Sequence, residues 1–120
     1  HVFKMNNALM DGEVLCMHGD RNLPGSRVYT ADFLGAPAEF PAGPFALAAA
    51  HKVPVCIPFV IRTGPMKYSF FGSDQIPPGT SRDEIFKRYV QEFEAIVKKY
   101  PLQWFNYYDF WQHADPTSDR

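Results

Sequence analysis

The sequence predicts an α/β fold, a layered mixed sheet flanked by helices. Short apolar runs alternate with stretches of helical periodicity, Gly- and Pro-rich segments separate them, and aromatic residues make up 16% of the chain. Alternating strands and helices are typical of α/β domains, in which helices cover a sheet. With 120 residues the chain is one domain or part of one. We expect that domain to span residues 1–112 and the polar residues 113–120 to form a flexible tail.

Composition argues against several classes of function. The formal net charge is −1, so the basic footprint of a nucleic-acid-binding protein is missing. No apolar stretch approaches the roughly 20 residues of a membrane-spanning helix, and we expect no signal peptide. Cys16 and Cys56 each lie in an apolar run, which predicts buried free thiols in a reducing compartment. The chain opens on a helix-like segment without a cap, which suggests that it is cut from a longer protein.

The amino-terminal elements alternate helix and strand. Residues 2–10 carry apolar side chains over one broad side and predict a helix. Residues 13–18 contain consecutive apolar side chains, which is typical of a strand buried on both faces. After a loop with Asn, Pro, Gly and Ser, residues 28–34 predict a second strand and residues 35–39 a turn.

The middle of the chain predicts a helix followed by two strands. A Pro-Ala-Gly-Pro segment leads into a short Ala-rich helix over residues 45–51, because proline is favoured in a first helical turn. Residues 53–61 are strongly apolar and predict a strand. Pro54 and Pro58 cannot donate ladder hydrogen bonds, so we expect an edge, a bulge or one-sided pairing there. Residues 67–71 predict a returning strand.

The carboxy-terminal part predicts one long helix and an aromatic block. Ser81 and Glu84 form a capping box, apolar side chains then recur at helical spacing, and Pro101 ends the helix. The aromatic block spans residues 104–111. It is compatible with three roles: core that closes the sheet, the lining of an acyl-chain or lipid groove, or an interfacial belt, since Trp and Tyr combine an apolar body with a polar tip.

A polar cluster follows the first predicted strand, which is where open α/β sheets usually place their chemistry. It contains His18, Asp20 and Arg21, and Arg27 follows in the next loop. One interpretation is a solvated turn with a local ion pair of little energetic weight. The other is an anion site in which Arg21 and Arg27 converge on a phosphate or carboxylate, since guanidinium groups present a planar fork of donors. The adjacent Asp20 would then orient Arg21.

The sequence offers no obvious catalytic pair. None of the four histidines is followed five residues later by a carboxylate, and no Gly-x-Ser-x-Gly motif is present. Spacings of Cys, His and Asp suggest no metal site, and no cofactor is predicted. His18 is the one alternative base, for an unrelated α/β enzyme, although a lone histidine is more often structural.

Several ordered segments carry a resemblance to a known family. They are Asp32-Phe-Leu-Gly35, Phe40-Pro-Ala-Gly-Pro44, Val53-Pro-Val-Cys-Ile-Pro58, and Tyr100-Pro-Leu-Gln-Trp-Phe105 followed by Asp109-Phe-Trp111. Together they resemble the bacterial lipid A biosynthesis (lauroyl/myristoyl) acyltransferases of the lysophospholipid acyltransferase superfamily. The third segment is similar to that superfamily's fourth block, and the last to a Pro-x-Gln-Trp signature. The resemblance covers about residues 2–112 and implies the carboxy-terminal part of an acyltransferase-type α/β domain.

The resemblance implies an activity and a location. A fatty acyl chain would pass from acyl carrier protein or coenzyme A to a hydroxyl or amine of a lipid acceptor, a lipid A precursor or a related lipid. The enzyme would be peripheral to, or anchored at, the cytoplasmic face of the bacterial inner membrane, in contact with the membrane surface and with no nucleic-acid partner. A non-catalytic lipid- or acyl-binding module that uses Arg21 and the aromatic block is the alternative.

The resemblance also implies where the site residues lie. In the family a His-x4-Asp pair is catalytic, with the histidine deprotonating the acceptor and the aspartate orienting the histidine. That pair is absent here, so we expect it upstream and expect this chain alone to be inactive. Asp20-Arg21 stands at the place of the family's third, acceptor-binding block. Arg21 would bind an anionic group of the acceptor, Asp20 would support it, and Arg27 would be a further substrate-binding residue.

Overall fold

A computed structural model describes residues 2–22, 25–105 and 110–111. The α/β class predicted from the sequence is confirmed, and the described strands form two antiparallel hairpins, β1–β2 and β3–β4. The predicted tail, residues 113–120, lies outside the described residues. The described elements, in chain order, are α1 (Val2–Met10), β1 (Val28–Phe33), β2 (Ala36–Pro41), α2 (Gly43–His51), β3 (Pro58–Gly64), β4 (Lys67–Gly72), α3 (Arg82–Lys99) and a short 3₁₀ helix (Pro101–Gln103).

The first hairpin turns earlier than the sequence predicts. Leu34 and Gly35 both have positive φ, 54° and 91°, as a two-residue type I′ turn requires. The predicted turn at 35–39 is therefore wrong, because residues 36–41 pair with β1. Pro37 and Pro41 disguise this strand in the sequence. Counted from the turn, Pro37 and Pro41 both occupy non-hydrogen-bonded pairs of the ladder. A residue in such a pair does not donate its N–H to the partner strand, so the missing N–H of each proline costs no hydrogen bond with β1.

The predicted strand at residues 13–18 is also wrong. These residues form irregular chain, and Val14 is 90% exposed. An apolar run becomes a strand only where neighbouring strands satisfy its backbone groups, and none of the described strands pairs with this one. Cys16 lies on this segment and Cys56 in the link before β3. Both are exposed, so the prediction of buried thiols fails with the strand.

The strand predicted at 53–61 is displaced toward its carboxy-terminal end. Val55 forms only an isolated bridge with Ile76, and β3 begins at Pro58. A first strand position is one where proline is tolerated. Pro58 pairs with Gly72 of β4 and with no other described strand, so the expected one-sided pairing is confirmed at this proline; the register shift between Arg62 and Gly64 lies farther along β3. The strand predicted at 67–71 is confirmed as β4.

The three helices follow their local signals, and α3 organises the core. The Glu84 N–H donates to the Ser81 hydroxyl over 3.3 Å, which confirms the serine half of the capping box. The apolar side of α3 joins two buried clusters. One contains Phe33, Ala38, Phe40, Val90, Phe93, Val97 and Phe110; the other contains Phe45, Ala48, Ile57, Ile76 and Ile85. None of the described helices has the length and hydrophobicity needed to cross a membrane.

Most of the described aromatic block packs around one phenylalanine. Phe33 is fully buried, and the ring centroids of Trp104, Phe110 and Trp111 lie 5.5, 5.5 and 6.3 Å from its own, a favourable aromatic spacing. The Trp111 indole N–H also donates to the Phe33 carbonyl over 3.0 Å. The core role is confirmed for these three residues. Phe105 differs, because it is 64% exposed.

Candidate functional site

The segment that carries the predicted site residues lies against the middle of α3. Gly19 faces the ring of Tyr89, and a Cβ atom at position 19 would lie 2.5 Å from its Cζ and 2.7 Å from its hydroxyl oxygen. Non-bonded carbon atoms pack best at about 3.5–4.0 Å. Only glycine therefore fits here without displacing Tyr89.

Asp20 is half-buried and acts electrostatically on the same tyrosine. Burial and, to a smaller extent, the negative charge of Asp20 raise the pKa of Tyr89 well above its ordinary value. Tyr89 therefore stays protonated at neutral pH, and its hydroxyl remains a hydrogen-bond donor. The charge of Asp20 therefore acts on Tyr89 of α3. Support of Arg21 by Asp20 stays a prediction.

Asn22 ties the other end of the polar cluster to the first hairpin. Its Nδ2 donates to the Glu39 carbonyl on β2 over 3.1 Å. Its Oδ1 is buried, and no described residue offers that oxygen a hydrogen bond. The backbone is thus anchored at Gly19 and at Asn22, and these anchors fix the path of the two residues between them.

Arg21 and Arg27 both extend into solvent from anchored backbone. Arg21 lies between the two anchors and is exposed. Arg27 is exposed as well, and its carbonyl accepts the Ala42 N–H over 3.0 Å, which joins the start of β1 to the start of α2. Arg21 therefore precedes the residue that bonds to β2, and Arg27 directly precedes β1. Their convergence on a single anion stays a prediction.

A third arginine lies beside β1. The Arg82 guanidinium is 5.7 Å from the centroid of the Tyr29 ring, a cation–π distance, and Tyr29 follows Arg27 by two positions. Arg82 also lies 3.8 Å from Asp83, and both of these side chains are largely exposed, so that pair contributes little. The described surface near the predicted site therefore gains one cation that the sequence did not indicate.

Sequence reasoning identified the charged residues and missed their anchors. In the sequence, Tyr89 falls in the apolar stripe of the long helix and Asn22 in a loop, and neither position indicates a contact with the polar cluster. Gly19 was the one available signal, because an isolated glycine after an apolar run often marks a close backbone approach. His18, the alternative base, is exposed. Within the described residues no three His, Cys, Asp or Glu side chains group as metal ligands.

Gln103, from the segment similar to the Pro-x-Gln-Trp signature, joins the aromatic block to β3. The Arg62 N–H donates to Gln103 Oε1 over 2.7 Å, and Gln103 Nε2 donates to the Arg62 carbonyl over 2.9 Å. The side-chain amide thus takes the place of a neighbouring strand residue. Trp104 then enters the core beside Phe33. The motif therefore has a structural explanation: glutamine fastens the segment to β3, and tryptophan fills the core.

Comparison with known proteins defines the class as acyltransferase. The model of the family described as bacterial lipid A biosynthesis acyltransferase matches residues 3–113, which is nearly the whole chain. The chain therefore belongs to the bacterial lipid A biosynthesis acyltransferase family, and the resemblance carried by the ordered motifs is confirmed. Comparisons with curated proteins and with solved structures gave no match.

Proposed function

We propose that this chain forms the acceptor-binding, carboxy-terminal portion of an acyltransferase. The enzyme moves a fatty acyl chain from acyl carrier protein or coenzyme A to a lipid acceptor, a lipid A precursor or a related lipid. Membership of the family supports the reaction class. One observation carries the site assignment: Arg21 is exposed on a backbone held at Gly19 by Tyr89 and at Asn22 by Glu39.

The chemistry requires a base that these 120 residues do not supply as a His-x4-Asp pair. We propose that such a pair is provided by residues outside this sequence, so that the chain alone has no turnover. The histidine takes the proton of the acceptor hydroxyl or amine, and the oxygen or nitrogen attacks the thioester carbonyl. The thiolate of the donor leaves and receives that proton, and the aspartate stabilises the charged histidine in between.

Arg21 binds an anionic group of the acceptor. Its guanidinium presents parallel N–H donors that match a phosphate or carboxylate in two-point geometry. Because the backbone on both sides is already anchored, less conformational freedom is lost on binding. Arg27, exposed directly before β1, supplies a second positive charge, and Asp20 supports the segment from the α3 side. The acceptor is a lipid, so we propose that the reaction takes place at the cytoplasmic face of the bacterial inner membrane.

The proposal is tested by Arg21→Ala in the protein that carries this chain, with labelled acyl donor and varied acceptor. A charge-assisted hydrogen bond contributes about 1.5–3 kcal/mol, so KM for the acceptor should rise about tenfold to a hundredfold while kcat changes little. Lys87→Ala removes an exposed cation from α3 and is the matched control.

Two results would contradict this assignment. Arg21 would have a structural role instead if Arg21→Ala lowered the melting temperature while each folded molecule kept its activity. If an intact protein bound lipid or acyl donor and gave no acyl transfer, the chain would belong to a non-catalytic binding module instead.

A further inference from the structure

The first hairpin has one edge that is closed to further strands. In an antiparallel ladder, the residues of non-hydrogen-bonded pairs direct their N–H and C=O groups away from the partner strand. On β2 these outward residues are Pro37, Glu39 and Pro41. The two prolines have no N–H, and the Glu39 carbonyl accepts the Asn22 side-chain amide over 3.1 Å. A strand that approached β2 from outside would therefore find the Glu39 N–H as its only donor.

The second hairpin has a closed edge of the same kind. On the outer side of β3, Pro58 lacks an N–H, and both main-chain groups of Arg62 are bonded to the side-chain amide of Gln103. Native proteins block exposed sheet edges with such devices because an open edge pairs with other strands. Each hairpin therefore has one edge that is closed by proline and by a side-chain amide.

The edge of β1 carries no such block. Val28, Thr30 and Asp32 are the outward residues of this strand, and each has both an N–H and a C=O group. β2 is the only described strand that pairs with β1, and no described residue bonds to the outward main-chain groups of these three residues. Thr30 and Asp32 are exposed. Among the described residues, the β1 edge is thus a free row of strand donors and acceptors.

The side chains of β1 indicate that its free edge belongs inside a larger sheet. Phe33 is fully buried in the core. Tyr29 and Ala31 lie on the same face of the strand as Phe33 and pack against the buried clusters, but they are only half-buried. A further strand beside β1 would cover both. The residues of β4 are all exposed, so β4 has no such partly covered core face.

We propose that a strand from the part of the protein that carries the catalytic base pairs with the free edge of β1. The strand is an extended segment of about five residues, with no proline where it faces β1 and with apolar side chains at alternate positions that cover Tyr29 and Ala31. The base must reach an acceptor held at Arg21, which requires the two parts to be in contact. Arg27 directly precedes β1, so the added strand lies beside the second arginine assigned to the acceptor. The inference rests on the proposed function for the presence of that part and adds the edge on which it docks.

Amide hydrogen exchange, resolved to single residues in the protein that carries this chain, tests the proposal. After correction for intrinsic rates, the Thr30 and Asp32 amides should exchange on the order of a hundredfold more slowly than the Glu39 amide, because paired strand amides exchange only when the sheet opens. Glu39 is the matched control, since its N–H also points outward from this hairpin but at the closed edge. The protection should not depend on protein concentration.

Thr30→Pro tests the same edge through activity. The Thr30 N–H points away from β2, so its loss leaves the hydrogen bonds between β1 and β2 intact, while the proline ring blocks an incoming strand. Acyl transfer should fall about tenfold or more. Val60→Pro makes the same change at the closed edge of β3 and should keep most of the activity. Circular dichroism shows whether each variant folds, and the exchange measurement needs no variant.

Three results would overturn the assignment. In the first, Thr30 and Asp32 exchange as fast as Glu39. In the second, their protection appears only at concentrations at which the protein dimerises, which would mean that a second copy supplies the strand. In the third, Thr30→Pro folds and keeps full acyl transfer. Fast exchange in a protein that transfers acyl chains would leave the proposed function in place. Slow exchange in a protein without acyl transfer would overturn the proposed function and keep the added strand.

Discussion

The contact between Gly19 and Tyr89 is the feature that a single methyl group tests best. In Gly19→Ala the new carbon would lie 2.5 Å from Cζ, 2.7 Å from the hydroxyl oxygen and 2.8 Å from Cε2 of the tyrosine. Since carbon atoms pack at about 3.5–4.0 Å, the segment or the ring must move by about 1 Å. Overpacking of this kind costs about 1–3 kcal/mol. That corresponds to a fall in melting temperature of roughly 4–20 °C for a domain of this size.

The clash can be relieved in two ways, by movement of the segment or by movement of the Tyr89 ring, and each has a measurable effect. If the ring stays in place, the segment moves and Arg21 moves with it, so KM for the acceptor rises. If the ring yields, stability falls and acceptor binding is kept. Urea unfolding of Gly19→Ala, Tyr89→Ala and the double variant gives the coupling energy of the pair, and acceptor kinetics distinguish the routes. Tyr89→Phe is the matched control, because it keeps the Cζ and Cε2 atoms that the methyl group would meet.

We expect Tyr89→Ala to relieve most of the destabilisation caused by Gly19→Ala and Tyr89→Phe to relieve little of it. If Gly19→Ala left both stability and acceptor KM unchanged, the segment would not be packed on α3 as described. Additive effects in the double variant would lead to the same conclusion.

Two further predictions concern the joints that hold the fold. Gln103→Ala should destabilise the protein by about 1–3 kcal/mol, because both main-chain groups of Arg62 lose their partner. Urea unfolding measures this change, and an unchanged midpoint would show that the two hydrogen bonds do not stabilise the fold. The Leu34 N–H, 2.8 Å from Glu94, and secondarily Lys98 lower the pKa of Glu94. The unfolded chain therefore binds more protons, so this contribution is full above the unfolded pKa of about 4.3 and is lost as pH falls through the lower folded value. Glu94→Gln should flatten the acid side of the stability profile, and identical profiles for the two proteins would refute this.

Local signals were sufficient to predict the helices. The cap at Ser81, the proline in the first turn of α2 and the apolar periodicity of α3 act within a few residues of the chain. The first hairpin shows where such signals stop. Its turn uses Leu34 at positive φ, which sequence rules assign to Gly, Asn or Asp. Leu34 is kept there by its packing against the core and by Glu94, a partner 60 residues away.

In the candidate site, too, local features could be predicted from the sequence and contacts between distant residues could not. The charged residues could be identified because they directly follow an apolar run, where α/β sheets usually place their chemistry. Their anchors were not visible, because the contact of Gly19 with Tyr89 and that of Asn22 with Glu39 join distant parts of the chain. The prediction that Cys16 is buried was wrong for a related reason. Cys16 lies in an apolar run that pairs with no described strand, so its thiol is exposed.

The central claim is that Arg21 binds an anionic group of the lipid acceptor. It is tested most directly by measuring acceptor KM for the parent protein and for Arg21→Ala with two acceptors, one phosphorylated and one lacking that phosphate. The account predicts that the substitution raises KM about tenfold or more for the phosphorylated acceptor and leaves KM for the other nearly unchanged. An equal rise in KM for both acceptors, or no rise for either, would contradict the assignment of Arg21.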